Sequence, residues 1–331
     1  MALASETCAI AATFEGSTVQ TRKLGRSNLQ VAPLVFGGNV FGWTADEAMS
    51  FRLLDIFVDA GFNAIDTADV YAIWIPGSSG GESETVIGKW MQHRGNRERV
   101  VIATKCGMDM GGDKKGLSRR WITQAVDDSL RRLQTDYIDL FQAHADDETV
   151  PLAETLETFA DLIKAGKIRT LGASNYRAER LREALAISAR LGLPRYETLQ
   201  PHYNLVEREK FEGALADLCT QEEIGVIPYY SLAAGFLSGK YRSEQDINKS
   251  TRGRGVKKYL NERGFKILAA LDQIAEHHGA SPAQVSLAWL MTKIAAPIAS
   301  ATNVEQLNQL MAAANLQLSA DDKSLLAAAS D

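Results

Sequence analysis

Cysteine, long apolar segments and surplus positive charge are all scarce in this chain of 331 residues. Its three cysteines, Cys8, Cys106 and Cys219, are odd in number and far apart, which provides neither a disulfide framework nor a zinc-binding pattern. No apolar run reaches the ~18 residues needed to cross a bilayer. Residues 1–18 lack the basic start of a signal peptide. These absences predict a cytoplasmic protein without a bound metal.

Positive charge is outweighed by negative charge, with 36 Lys and Arg residues against 41 Asp and Glu residues and a net charge of −5. Nucleic acids and anionic membranes attract basic surfaces. The sequence contains no basic run with interleaved aromatic residues. We therefore expect neither partner and a small-molecule substrate instead, while the sequence carries no signal of the oligomeric state.

What the sequence does contain is an alternation of short apolar runs with longer segments of helical periodicity. The apolar runs predict eight strands, at residues 34–36, 63–66, 100–105, 138–143, 170–173, 198–200, 225–229 and 297–300. Helical segments are predicted to begin near Asp46, Gly81, Ser118, Leu152, Ala178, Val206, Glu262, Ser281 and Val304. Strands that alternate with helices form a parallel sheet, and about 300 residues of this pattern favour a closed (β/α)8 barrel, the TIM barrel.

Residues 21–31 carry turn signals at Gly25, Ser27 and Asn28 and predict a β-hairpin that closes the bottom of the barrel. Residues 1–18 are expected to form a flexible extension, and residues 19–331 one domain. The alternative is a doubly wound open sheet. A nucleotide-binding sheet of that kind carries a glycine fingerprint after its first strand. The segment Val35-Phe36-Gly37-Gly38-Asn39 is not such a fingerprint, which favours the barrel.

Four polar side chains stand at or just after the carboxyl ends of consecutive predicted strands. Asp66 ends the second strand and Tyr71 follows five residues later, while Lys105 ends the third strand and His144 follows the fourth. In a (β/α)8 barrel these strand ends open on one mouth, where active sites form. Taken singly, each residue is more often a packing or solvated loop residue. The set of four favours an active site.

A chemistry for these four side chains follows from their charges. A tyrosine hydroxyl has a pKa near ~10, and an ammonium beside it lowers that pKa. Lys105 is therefore expected to lower the pKa of Tyr71 while Asp66 holds Lys105 charged. Tyr71 then donates a proton to a carbonyl oxygen, and a neutral His144 donates a hydrogen bond to the same oxygen. Hydride requires a nicotinamide cofactor, because no side chain supplies it.

Around these residues the sequence resembles the aldo-keto reductase superfamily, over roughly residues 21–325. The branch is similar to that of the potassium-channel β-subunits and bacterial ketone reductases, with the adenosine-phosphate motif at residues 301–307. The matching segments are Asp66-Thr67-Ala68-Asp69-Val70-Tyr71 (the D-x-A-x-x-Y signature), Ala103-Thr104-Lys105, Gln142-Ala143-His144, Gly172-Ala173-Ser174-Asn175-Tyr176, Gln200-Pro201-His202-Tyr203-Asn204, Tyr230-Ser231-Leu232 and Gly239-Lys240-Tyr241.

The resemblance implies that Asp66, Tyr71, Lys105 and His144 form a catalytic tetrad, and that a nicotinamide cofactor lies extended across the barrel mouth. It implies that the nicotinamide amide is held by Ser174, Asn175 and Gln200, and that Tyr230 stacks on the nicotinamide ring. The full set of implied cofactor contacts is Gly38, Asn39, Asp66, Ser174, Asn175, Gln200, Tyr230, Ser231, Leu232, Gly239, Lys240, Arg252, Ser300, Asn303 and Gln306.

Three departures from the family pattern concern the cofactor. The motif Y-S-P-L appears here as Tyr230-Ser231-Leu232, without the proline. The adenosine-phosphate motif has no Lys or Arg before Thr302, and its usual asparagine is replaced by Leu310. NADPH is the default expectation. The use of NADH as well stays open, because an arginine fork is the usual means of holding a 2′-phosphate.

The segment 71–81 is long for a connection between a strand and a helix, and it carries Trp74 and Ile75. We expect both to line the substrate pocket; packing beneath the loop is the alternative. The same segment contains Gly77-Ser78-Ser79-Gly80-Gly81, a formal match to the G-x-S-x-G nucleophile elbow of hydrolases. That elbow needs a strand that runs directly into a helix, whereas Pro76 and the glycines predict a loop.

The sequence therefore predicts an oxidoreductase, an aldo-keto reductase that reversibly reduces aldehydes or ketones with Tyr71 as the general acid. The long aromatic loop favours a bulky ketone, such as a 3-keto-trichothecene mycotoxin or a sugar-like or steroid-like carbonyl compound. The alternative is an NADPH-binding sensor or regulatory partner protein with slow catalysis. The complete set of four polar residues favours the enzyme, although fold alone does not name its substrate.

Overall fold

The computed structural model describes residues 19–251 and 253–331, so the predicted extension at residues 1–18 and Arg252 lie outside the described residues. Here an antiparallel pair, β1 (Arg22–Lys23) and β2 (Gln30–Val31), precedes eight parallel strands. The parallel strands are β3 (Val35–Gly37), β4 (Ala64–Asp66), β5 (Val101–Cys106), β6 (Ile138–Ala143), β7 (Ile168–Ser174), β8 (Tyr196–Gln200), β9 (Gly225–Val226) and β10 (Ile298–Ala299).

The parallel strands pair in the order β10-β3-β4-β5-β6-β7-β8-β9. Pairing is longest between β6 and β7, with five register pairs, and short at β8–β9 and β10–β3, with two pairs each. Amide donors of Ala295 and Ala296 reach the Val226 carbonyl at 3.1 and 3.4 Å, and the Ile298 amide reaches the Pro228 carbonyl at 3.0 Å. These bonds join β10 to β9, so the predicted barrel is confirmed and the open-sheet alternative is wrong.

Side-chain caps start several of the helices that alternate with these strands. Ser118 accepts a hydrogen bond from the Trp121 amide, and Ser281 caps a helix whose first position is Pro282, as the sequence predicts. Among the described residues no helix is both long and apolar enough to span a membrane. The α-helices described are α1 (Glu47–Asp59), α2 (Glu82–Arg94), α3 (Arg119–Leu133), α4 (Leu152–Lys164), α5 (Ala178–Leu191), α6 (Ala214–Gln221), α7 (Glu262–His278), α8 (Pro282–Met291), α9 (Val304–Ala312) and α10 (Ala320–Ser330).

The helix predicted to begin near Val206 is wrong, because α6 begins eight residues later at Ala214. The Asn204 side chain accepts hydrogen bonds from the amides of Val206 and Glu207 at 2.9 and 3.0 Å. Bonds of this kind satisfy the backbone in a turn and compete with a helix. Gly213 then adopts φ = +87°, which is incompatible with a right-handed helix, and α6 follows it.

The predicted hairpin is confirmed at the amino-terminal end of the barrel. Leu24 and Val31 fill the interior there, packed against Val35, Ala64, Ala103, Leu140, Ile227, Ala296 and Ile298. The guanidinium of Arg22 fastens the hairpin by donating to the carbonyls of Met291, Ile294 and Ala295 at 2.7, 3.0 and 3.1 Å. Because apolar side chains plug this end, the interior opens at the opposite end, where the strands terminate.

Candidate active site

A cavity of about 850 Å³ opens at the carboxyl ends of the barrel strands. Its wall combines the ends of β3, β4, β8 and β10 with the loops that follow β3, β4, β5, β6, β7, β9 and β10. The predicted site residues that line it are Asn39, Asp66, Tyr71, Trp74, His144, Asn175, Gln200, Tyr230, Ser231, Leu232, Lys240, Ser300 and Gln306.

Several predicted residues lie behind this wall instead of on it. Gly38 is buried beside the wall, and Gly239 ends a short 3₁₀ helix with φ = +79°. Ser174 donates to the Gln200 carbonyl at 2.9 Å, and Asn303 caps α9 by accepting from the Gln306 amide at 2.9 Å. Ile75 is half-buried in the loop after Tyr71 and is not among the residues that line the cavity.

Lys105 is the buried centre of the predicted catalytic group. Its ammonium donates to Asp66 Oδ2 at 2.7 Å, to the Thr67 carbonyl at 2.6 Å and to the Tyr71 hydroxyl oxygen at 3.1 Å. The lysine side chain is fully buried and Asp66 is nearly so. Three acceptors satisfy the three N–H groups of the ammonium, and one of them is the hydroxyl that borders the cavity.

Two amide side chains orient the carboxylate of Asp66. Gln200 Nε2 donates to Asp66 Oδ1 at 2.8 Å, and Gln142 Nε2 lies 3.4 Å from the same oxygen. Because Lys105 holds the other oxygen, the carboxylate has donors on both sides in a site closed to water. These partners fix Asp66 as the counter-ion of the buried ammonium.

The expected lowering of the pKa of Tyr71 is wrong for this structure. Burial, followed by the neighbouring charge of Asp66 and a hydrogen bond to that carboxylate, raises the pKa of Tyr71 well above its ordinary value. Burial also lowers the pKa of Lys105, and Asp66 opposes that shift. The attraction between ammonium and phenolate, from which the lowering was expected, is outweighed by the cost of removing both groups from water. The phenol is therefore held protonated.

His144 is held neutral, as expected from the sequence. Burial, reinforced by the charge of Lys105, lowers the pKa of His144 well below its ordinary value. Its ring lies edge-on to the Tyr71 ring, with 6.2 Å between the ring centres. The Nδ1 atom of His144 is buried and has no hydrogen-bond partner among the residues described. His144 lines the cavity, so a ligand can reach the accessible edge of its ring and not the buried Nδ1.

Hydrogen-bonded polar side chains lie beside His144. Asn175 donates to the His144 carbonyl at 2.9 Å and to Ser174 Oγ at 3.1 Å. Tyr229 lines the cavity and donates from its hydroxyl group to Asn175 Oδ1 at 2.8 Å. The sequence reasoning did not select Tyr229, although it precedes the selected Tyr230 directly. The signal available was its aromatic ring at the end of a barrel strand.

The segment that lacks the family's proline adopts left-handed backbone at several non-glycine positions. Tyr230, Ala233 and Ala234 have φ values of +53°, +49° and +57°. Conformations of this kind are costly for residues with a Cβ atom, and they cluster at functional sites. The Tyr230 side chain is 51% exposed, with its ring 5.3 Å from those of His202 and Tyr229. The turn therefore presents an aromatic face to the cavity.

The far end of the cavity is polar and is built around the start of α9. The side-chain oxygen of Gln306 accepts hydrogen bonds from both the amide and the hydroxyl of Thr302, at 3.0 and 3.1 Å. Ser300 donates to Asn39 Oδ1 at 2.7 Å. The cations on the cavity wall are Lys240 and Lys249, which belong to the loop after β9. Arg252 lies outside the described residues.

The adjacent histidines of α7 do not point as far apart as an ideal helix suggests. Neighbouring side chains on an ideal helix point about 100° apart, yet the rings of His277 and His278 lie 4.9 Å apart. Potential ligand atoms of these two residues and Asp322 all lie within 4.8 Å of one another. Zinc bonds of about 2.1 Å place two ligand atoms at most about 4.2 Å apart. His278 instead pairs with Asp322 at 2.9 Å.

Comparison with known proteins agrees with this geometry. The model of the Aldo/keto reductase family matches residues 33–331. Protein tas of Escherichia coli (strain K12) is 33% identical over 330 residues, covering 92% of this chain and 95% of that protein. Aldo-keto reductase AMT2 of Alternaria alternata is 32% identical, with 95% and 92% covered, and aldo-keto reductase YhdN of Bacillus subtilis (strain 168) is 32% identical, with 86% and 84% covered. The chain belongs to the aldo/keto reductase family and is an NAD(P)H-dependent oxidoreductase that reduces small carbonyl compounds.

Proposed function

We propose that this protein reduces a bulky aldehyde or ketone to the alcohol with NADPH, and that Tyr71 is the proton donor. The observation that carries the proposal is the position of the Lys105 ammonium, which hydrogen-bonds both the buried Asp66 carboxylate and the Tyr71 hydroxyl at the cavity floor. An ammonium in that place stabilises the phenolate that remains after proton transfer. The alternative of a sensor with slow catalysis has no comparable observation in its favour.

The cavity wall fits a nicotinamide dinucleotide. Asn175, Gln200 and His144 place polar side chains on this wall. Gly37 also lines the cavity, and its backbone packs closely against Ser300, because a Cβ atom there would lie 2.5 Å from Ser300 Oγ. Tyr230 or Tyr229 offers a ring to stack on the nicotinamide, and Ser300, Thr302 and Gln306 would hold the adenosine end. The bound cofactor supplies the hydride.

The chain's own groups complete the reduction. His144 Nε2 and the Tyr71 hydroxyl bind the carbonyl oxygen and polarise it. As negative charge develops on that oxygen, the Tyr71 proton moves to it and the C–O group becomes an alcohol. The phenolate left on Tyr71 is stabilised by the Lys105 ammonium 3.1 Å away. Asp66 keeps that ammonium in place, and bulk solvent restores the proton after the product leaves.

The test is the loss of NADPH absorbance across a panel of aldehydes and ketones, with wild type and Tyr71→Phe side by side. The phenylalanine variant keeps the ring and removes the proton, so we expect kcat to fall by roughly 10²–10⁴-fold with little change in NADPH affinity. Turnover that survives in Tyr71→Phe would overturn the role of Tyr71. Tight NADPH binding without turnover on any carbonyl compound would overturn the proposed function in favour of the sensor.

For the cofactor we propose NADPH as the preferred form, with NADH accepted. Lys240 and Lys249 on the cavity wall favour the extra phosphate, whereas the lack of a Lys or Arg before Thr302 weakens discrimination. Measurement of kcat/KM with each cofactor ranks them. We expect the ratio of kcat/KM with NADPH to kcat/KM with NADH to be well below that of an enzyme with an arginine fork at the 2′-phosphate. A Lys240→Met variant should lower this ratio further.

For the substrate we propose a bulky ketone, such as a 3-keto-trichothecene or a steroid-like or sugar-like carbonyl compound. Trp74 and Met108 line the cavity beside Tyr71 with 46% and 37% of their surfaces exposed. Trp43 supports the indole of Trp74 edge-on at 5.4 Å. Trp74→Ala should raise KM for a bulky ketone several-fold and leave KM for NADPH unchanged. An unchanged KM for every ketone would overturn the assignment of Trp74.

Two further proposals concern the chain as a whole. We propose that residues 19–331 act as one domain, because the barrel strands and the hairpin that plugs them span this range. We also propose a cytoplasmic location, which rests on the free cysteines Cys106 and Cys219. Limited proteolysis tests the first proposal, and localisation of the tagged full-length chain tests the second.

A further inference from the structure

A second cavity, of about 70 Å³, lies behind the loop that connects Asp66 to Tyr71. Three parts of the chain surround it: the loop after β4, the loop after β5 and helix α3. The first two are the loops that carry Trp74 and Met108 to the large cavity. The residues that line the small cavity are Asp69, Ser79, Gly80, Met110, Lys114, Trp121, Ala125, Asp128 and Arg132.

Two buried polar groups on this wall lack partners. Asp69 is 1% exposed, and among the residues described neither of its carboxylate oxygens has a hydrogen-bond partner apart from a contact with the amide of the adjacent Val70. The indole Nε1 of Trp121 is likewise buried and unpartnered within the described ranges. Buried polar groups in native proteins are nearly always satisfied by protein or by ordered water. An acceptor and a donor on the wall of one small cavity therefore indicate a shared occupant.

Asp69 is tied directly to the catalytic residues. It lies three residues after Asp66 and two before Tyr71, and its amide donates to the Lys105 carbonyl at 3.1 Å. The loop that returns from Tyr71 packs against it closely, because a Cβ atom on Gly80 would lie 2.8 Å from the Asp69 carbonyl oxygen. A change in the Asp69 side chain is therefore expected to alter the backbone that positions Tyr71, the proposed proton donor.

The charges around Asp69 favour its neutral form. The charged groups that face it are Glu84 on α2, Lys105 on β5, Lys114 on the next loop, and Asp128 and Arg132 on α3. Arg132 forms an ion pair with Glu84, and its Nε donates to the Glu84 carboxylate at 2.6 Å. Burial and the charge of Glu84 raise the pKa of Asp69 to about 8, against the opposing effects of the Arg132 charge, the Val70 amide and the Lys105 charge. At neutral pH the carboxyl group therefore carries a proton.

We propose that Asp69 is a positioning residue for Tyr71 and Lys105, and that it acts through water in the small cavity that joins its carboxyl group to the indole N–H of Trp121. A water molecule needs roughly 10–15 Å³ and two or more polar partners, and this cavity provides both. Water there accepts from the indole N–H and from the carboxyl O–H, which ties the catalytic loop to α3. The proposal rests on the proposed reductase function.

Removal of the proton from Asp69 reverses this arrangement. A carboxylate has no O–H to donate, and its charge faces Glu84 across a poorly solvated space. The loop is then expected to loosen and to draw in more water, which displaces Tyr71 from the carbonyl oxygen. Catalysis therefore declines at alkaline pH before Tyr71 itself titrates, since burial keeps the pKa of Tyr71 well above its ordinary value.

The experiment measures kcat and both KM values from pH 6 to 10 for wild type, Asp69→Asn, Asp69→Ala and Trp121→Phe. Asp128→Asn is the matched control, because it makes the same substitution at another aspartate on the wall of the same cavity, away from the catalytic loop. We expect a decline of the wild-type kcat centred near pH 8 that Asp69→Asn lacks. Asp69→Ala and Trp121→Phe should lose roughly 5- to 20-fold in kcat at pH 7, with KM for NADPH unchanged.

A second readout is independent of turnover. The indole ¹⁵N–¹H resonance of Trp121, assigned by its loss in Trp121→Phe, should titrate near pH 8 in wild type and not in Asp69→Asn. If that titration occurs and no carbonyl compound is reduced, the proposed function fails while the link between Asp69 and Trp121 stands. If the enzyme turns over but Asp69→Asn keeps the wild-type pH profile, or the indole does not titrate, the proposal is overturned.

Discussion

The replacement Lys105→Met removes the ammonium from a buried ion pair and keeps a side chain of similar length. It leaves Asp66, 1% exposed, without its partner at 2.7 Å, while Gln200 still donates to the other carboxylate oxygen at 2.8 Å. The loss of one partner from a buried pair costs about 3–5 kcal/mol. Because the Gln200 bond remains, we expect a loss of about 3 kcal/mol in the free energy of unfolding.

The double variant Asp66→Asn/Lys105→Met isolates the interaction between the two charges. It leaves neither charge buried, so it should lose about 2 kcal/mol less than the sum of the two single variants. The assay is urea unfolding at pH 7, followed by circular dichroism and tryptophan fluorescence. Lys89→Met is the control: its ion pair with Glu47, also 2.7 Å long, is exposed, and we expect a loss below about 1 kcal/mol. Additive losses in the double variant would refute the reasoning.

Three further predictions concern other parts of the molecule. Ala72, directly after Tyr71, is buried and has φ = +76°. Ala72→Gly should therefore raise the free energy of unfolding in urea by about 0.5–1 kcal/mol. Ala68→Gly is the control: Ala68 is buried without a positive φ, so this variant should lower the free energy of unfolding. The pKa of Asp69, raised to about 8 from 3.8, means that the folded chain keeps a proton that the unfolded chain has lost between those pH values. The stability of the wild type should therefore fall as pH rises from about 4 to about 8. Above pH 8, thermal melts should show Asp69→Asn to be a few kcal/mol more stable relative to wild type than it is at acidic pH. The same dependence of stability on pH in both proteins would contradict this. A Cβ atom on Gly88 would lie 2.2 Å from the Arg132 carbonyl oxygen, so Gly88→Ala should cost at least about 2 kcal/mol in urea, while Gly255→Ala, which meets nothing within 4 Å, should be nearly neutral.

The barrel was predictable from the sequence because its signals are local. Apolar runs mark the buried strands, and Ser118 and Ser281 start helices through bonds to amides only three residues away. The convergence of Asp66, Lys105 and His144 follows from strand ends alone, since all parallel strands of a barrel end at the same mouth. Long-range contacts are not needed for either inference.

What the sequence did not reveal depends on contacts between distant residues. The loop at Val206 is held by Asn204 and by Glu207, which accepts from Lys258 and Tyr259 some 50 residues later. The pKa of Tyr71 depends on how deeply the ring is buried, and no motif records that depth. Asp69 matches an unspecified position of the family signature, so its unpartnered carboxyl group becomes visible only when α3 is seen packed beside it.

The barrel is least securely closed at its seam between β9 and β10. Each of these strands has two residues, and the bonds that cross the seam involve residues 226–228 and 295–298. Amide hydrogens there should exchange with deuterium sooner than those of β6 and β7, the most extensively paired strands. Tyr230 follows one side of the seam and Ser300 the other, and both line the large cavity. A ligand that contacts both residues therefore bridges the seam between β9 and β10. Because binding stabilises the closed barrel, the seam should open less often as the ligand concentration rises.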